Sequence, residues 1–283
     1  MAILREGFLS CFLGCRLRGW IVAALFGLLA PMCAADNNRI TLDSNETLFA
    51  VLTAMNTCGY NVDLNISDAQ RLNIRAEVDR NLRNSDESQA AMNAMCEWYL
   101  AHRGKDPAHD LSQYVSLALY LQGPPHFLPR VKEDEMPPDA APLAPFGALL
   151  ERFYDKAQLH TVWERHRANY AALIERYHIP VAKMVFDTDI YLKLQSGGYL
   201  GRSFTVYLDF MGDPNEANAR NYGVDYYVVL FPSPDPNSVD PLKMPQIRHT
   251  YLHYVLDPMA DKHFTAIKRL DPLLQSVKRA PLE

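Results

Sequence analysis

The chain has 283 residues, with 28 Lys+Arg against 33 Asp+Glu, a formal net charge of −5 and 48% hydrophobic residues, an ordinary share for a globular protein. An acidic balance argues against nucleic acid or an anionic membrane as partner, because both require a basic surface. The length suffices to bury a substantial core in one domain or in two small ones.

Residues 1–35 read as a cleavable export signal. Arg5, Arg16 and Arg18 form a positive n-region, residues 20–29 an uncharged apolar run, and Cys33-Ala34-Ala35 a small-residue site for cleavage before Asp36. The apolar run is shorter than the ~20 residues that span a bilayer, which argues against an anchor. Pro31-Met32 is a poor lead-in for lipidation at Cys33. The expected product is exported, periplasmic or extracellular, with no stable membrane insertion after cleavage. It has 25 Lys+Arg and 32 Asp+Glu, a net charge of −7.

Of five cysteines, Cys58 and Cys96 remain in that product. In an oxidising compartment they are a candidate disulfide; the alternative is two buried free thiols packed as small apolar groups.

Residues 36–123 read as a helical N-terminal region. Ser44 or Asn45 caps a helix that stops at Gly59. Asp68 caps a second, residues 87–102 form a third, and Asp110 opens a fourth that ends at Gly123. Residues 124–145 carry Pro124, Pro125, Pro129, Pro137, Pro138, Pro142 and Pro145, a density that forbids helix and reads as an extended connection. It leads either to a separate region, 146–283, or across one face of a single domain. Helices follow at 146–157 and 159–177. Pro180 opens a segment, 181–194, that fits helix or strand. Residues 203–210 alternate as a strand does, and 222–231 contain the apolar run Tyr226-Tyr227-Val228-Val229-Leu230-Phe231 of a buried strand. A helix at 246–256 closes at Asp257-Pro258, and a last one at 261–277 is interrupted near Asp271-Pro272.

The helix at 246–256 carries the one motif with chemistry in it, His249-Thr250-Tyr251-Leu252-His253. Two histidines four apart share a helical face, the spacing a tetrahedral zinc ion takes from two imidazoles. Spacing alone is common, and one surface histidine beside one locally bonded histidine gives the same pattern. Arg248 through His253, followed by Asp257-Pro258, resembles the histidine helix of gluzincin-related secreted bacterial domains of unknown function, with HTYLH where those have HExxH. The stretches 149–154 and 163–177 resemble the helices that precede that motif, so the likeness covers about residues 60–265 as an order of elements.

The resemblance implies an α+β, mostly helical, zincin-like fold. A small sheet would lie beside the His249/His253 helix, with both imidazoles turned toward the strand at 226–231. It implies Zn2+ as the cofactor. Thr250 stands where the family has its general base, and a threonine hydroxyl cannot take a proton from zinc-bound water near neutral pH. The family's third ligand is a Glu on a later helix; here the only Glu beyond His253 is Glu283, and Asp257, Asp261 and His263 are the substitutes. Three readings follow: a degenerate metallopeptidase-like fold that binds peptide or protein, an active zinc hydrolase with an atypical base and third ligand, and a helical envelope protein with incidental histidines.

Overall fold

Residues 40–194, 201–235 and 240–269 are described by the structure, a computed structural model; the proposed export signal and the chain beyond 269 lie outside them. Helix α1 (Glu46–Thr57) starts where Asn45 accepts a hydrogen bond from the Leu48 N–H at 3.0 Å. Every residue from Thr47 to Asn56 is buried, so this helix is an axis and not a surface element. Packed about it are α2 (Ala69–Leu82), α3 (Asp86–His102), α4 (Pro107–Tyr120) and α5 (Phe146–Lys156). Asp68 and Ser85 cap α2 and α3 through their side chains. Helix α4 opens a turn earlier than expected, with Asp106 as cap and Pro107 in its first turn; Asp110 instead accepts from the Gly104 N–H at 2.7 Å.

The proline-rich segment is a strap folded onto this helical layer. Gln122 donates to the Leu128 carbonyl, Arg130 donates back to Tyr120 at 2.7 Å, and Phe127, Met136, Ala140 and Leu143 are buried in the helical core.

Helix α6 (Leu159–Leu192) has 34 residues and continues uninterrupted past Pro180. At 1.5 Å per residue it is about 50 Å long. Its first half, with Leu159, Val162, Trp163 and Tyr170, belongs to the helical core. Its second half, with Leu173, Tyr177, Val181, Met184 and Val185, belongs to a second core built on the sheet. Proline removes one hydrogen bond, and the apolar face on the sheet holds the helix together across it.

The sheet contains β1 (Ile40–Asp43), β2 (Ser203–Leu208), β3 (Glu216–Tyr222) and β4 (Asp225–Phe231) in the order β1-β2-β4-β3. The first two pairings are parallel and the β3–β4 pairing is antiparallel. Successive residues face opposite layers. Phe204, Val206, Leu208, Tyr226, Val228 and Leu230 meet α6 and α7 (Met244–Lys262), while Tyr227, Val229 and Phe231 meet the helical layer. The chain is α+β and mostly helical, with a small sheet clamped between helices. A short α8 (Phe264–Lys268) ends the described chain.

A buried polar seam joins the layers. Arg71 is fully buried, and burial lowers its pKa to about 10. Its guanidinium donates to Asn56 Oδ1 at 3.0 Å and to the Val62 carbonyl at 2.9 Å. Asn56 in turn donates to the Met211 carbonyl at 2.7 Å, after β2. Asp209 accepts from the Met211 N–H at 2.6 Å and from the Tyr170 hydroxyl at 3.3 Å. Gly212 completes the seam, since a Cβ there would run into the Phe231 ring.

Candidate functional site

Helix α7 begins with Pro245 in its first turn, and its buried face is Ile247, Thr250, Tyr251, Tyr254 and Val255. That i, i+3, i+4, i+7, i+8 stripe is what packs on the sheet. His249 and His253 are exposed, off this stripe, with ring centroids 4.9 Å apart and nearly edge to face. The stripe Ile247, Thr250, Tyr251, Tyr254 and Val255, and not the histidine pair, takes the face of α7 that packs on the sheet, while His249 reaches the rim of a groove that Val228 also lines. Thr250 is buried, its hydroxyl donating to the Gln246 carbonyl at 3.1 Å.

His253 Nδ1 lies 3.1 Å from Asp257 Oδ1, and Asp257 Oδ2 accepts from the Tyr226 hydroxyl at 3.2 Å. Asp257 thus orients one imidazole in the way carboxylates orient metal-ligating histidines. Helix α7 runs through Pro258 to Lys262, past the closure expected at Asp257-Pro258, which leaves Asp261 and His263 exposed at its far end. Among the described residues no group of three or more His, Cys, Asp or Glu is placed to hold a metal ion. Two imidazoles fill two corners of a tetrahedral zinc site, which requires further ligands.

His249 borders a groove of about 310 Å³ between the sheet and the start of α7, lined by Ala217, Ala219, Val228, Pro245, Gln246 and Thr250. Ala219 pairs with Val228 in the β3–β4 register, and the small alanine side chains leave the groove open. Strand β4 is paired on both sides, so the apolar run 226–231 offers no free edge; β3 lies at the edge of the sheet and pairs with no second strand among the described residues. Gly223 and Val224 form a two-residue turn that makes Tyr222 and Asp225 a hydrogen-bonded pair, so Ala217, Ala219 and Asn221 direct their backbone groups away from β4. The Ala219 carbonyl accepts from Arg220 at 2.8 Å, and the same guanidinium is tied to α4 through Ser116 and Ser112.

Cys58 and Cys96 form a bridge from the end of α1 to α3, with Cα atoms 4.8 Å apart.

A second cleft has no counterpart in the sequence reading. Its volume is about 530 Å³, and Pro125, Glu151, Tyr154, Gln158 and His160 line it. At its wall Glu46 accepts from the Tyr154 hydroxyl at 2.5 Å and from His160 Nδ1 at 2.9 Å. His126 and Glu151 pair at 3.1 Å beside it. The Glu46 hydrogen bond raises the His160 pKa, and burial together with Glu46 raises that of Tyr154. These partners lie 108 and 114 residues apart, so no local motif announces them.

Among the described residues no helix is long and apolar enough to cross a membrane. Comparison with protein families, with curated proteins and with solved structures finds no match.

Proposed function

We propose that the chain is an exported, zincin-related binding protein. It takes an extended peptide along the outer edge of β3, with His249 at the rim of the adjoining groove, and does not hydrolyse it. The observation that carries this reading is β3 itself: an antiparallel edge strand whose outward backbone groups lie next to an open groove beside the histidine helix. A peptide added there gains main-chain hydrogen bonds, and alternate side chains meet the α7 side of the sheet. Zinc, held by His249 and His253 without a third protein ligand, binds weakly.

Fluorescence anisotropy with a library of extended peptides tests the reading. Ala219→Pro removes an outward N–H while sparing the ladder to β4. It is expected to weaken peptide binding at least about tenfold with the melting curve retained. Equal affinity in the variant, or no binding from the library, refutes the edge. Elemental analysis is expected to find well under one zinc per chain. Near-unit zinc with chelator-sensitive cleavage would favour the active hydrolase instead.

A further inference from the structure

The outward face of α6 carries a row of apolar residues that no described residue covers. Ile179 is 73% exposed, Phe186 64% and Ile190 60%. They fall at i, i+7 and i+11, one line along the helix, opposite the buried Tyr177, Val181, Met184 and Thr188. Single exposed apolar side chains are ordinary, but a contiguous row marks a contact surface.

The charges around this row say what fits it. Lys183 and Asp187 flank it on one side and pair at 2.7 Å. Glu175 flanks it on the other side and Lys193, the left-handed C-cap just past the end of the helix, follows on that side; both are exposed and make no ion pair with another described residue. A twofold axis across the helix between residues 184 and 185 brings a second α6 antiparallel to the first. It sets Ile179 against Ile190 of the second copy and Phe186 level with Lys183, beside the small, exposed Ala182. The same axis sets Lys183 near Asp187 of the second copy, and Glu175 near Lys193. One axis satisfies the apolar row and both charge pairs, which is the self-complementarity an isologous interface requires. The antiparallel arrangement also opposes the two helix dipoles.

We propose that the protein forms a symmetric homodimer through the outward face of α6, with Ile179, Phe186 and Ile190 as its centre and Glu175–Lys193 pairs at its ends. This surface is separate from the β3 edge, and its test does not depend on peptide binding.

Sedimentation equilibrium of the purified protein is expected to show a dimer below about 100 µM. Phe186→Glu is expected to give a monomer that melts as the wild type does once diluted below its dimer dissociation constant. Glu175→Lys leaves two positive ends, and Lys193→Glu two negative ends. Each alone is expected to weaken self-association at least about tenfold, while the equimolar mixture recovers wild-type affinity as a heterodimer. Neither residue has an ion-pair partner among the described residues of its own chain, so the exchange is expected to leave the monomer intact. A wild-type monomer throughout the range overturns the proposal, as does a dimer indifferent to Phe186→Glu or a mixture that stays dissociated. A Phe186→Glu monomer that melts below the diluted wild type would mean that the chain covers this face itself, and overturns it equally.

Discussion

Asp209 lies wholly buried between Tyr170 and the turn after β2, and burial pushes its pKa up to about 7 although two hydrogen bonds oppose the shift. A carboxyl whose folded pKa exceeds its unfolded value binds its proton more tightly when folded. Its contribution therefore destabilises progressively as pH rises from about 4 to 7. Asp209→Asn keeps an acceptor for the Met211 N–H and removes the ionisation. It is expected to leave stability at pH 4 nearly unchanged and to raise it at pH 8 by at least about 1 kcal/mol. Urea unfolding at the two pH values measures this, and a variant less stable than wild type at pH 8 would refute it. Nothing in Phe204-Thr205-Val206-Tyr207-Leu208-Asp209 marks that aspartate as buried, because its burial depends on Arg71 and Tyr170, which are distant in sequence. His249 and His253 were legible as a pair, but their exposure was not: it is decided by Ile247, Tyr251, Tyr254 and Val255 competing for the sheet.

Among the elements, α1 and α2 could be read from their caps, since Asn45 and Asp68 accept the hydrogen bonds their residue types predict. The two prolines misled the reading in one direction. Pro180 and Pro258 mark breaks by local rule, yet α6 and α7 pass through both because packing against the sheet outweighs one lost hydrogen bond. Strand β3 escaped notice because Glu-Ala-Asn-Ala-Arg-Asn-Tyr has no apolar run, as befits an edge. The Cys58–Cys96 bridge closes a sequence separation of 38 residues and ties the central α1 to α3. By loop-closure entropy it stabilises by about 3–4 kcal/mol. Cys96→Ser is expected to lower the melting temperature substantially without altering the far-ultraviolet circular dichroism of the folded state. A shift within error would contradict this.

At the scale of the molecule, residues 40–269 fall within one compact unit although they build two cores. Helix α6 belongs to both, so neither core can lose it and remain. Thermal unfolding is expected as a single transition, coincident by far- and near-ultraviolet circular dichroism. A chain ending at residue 202, before β2, strips the sheet from Tyr177, Val181 and Met184, and is expected to aggregate or unfold without cooperativity. Two separate transitions in the whole chain, or a sharp melt in the shortened one, would show that the helical layer stands alone. The same sharing of α6 constrains how such a protein can change over generations. A gene crossover anywhere within those 34 codons would join a half-helix shaped for one core to a half shaped for a stranger's. The layers are therefore expected to be inherited as a pair.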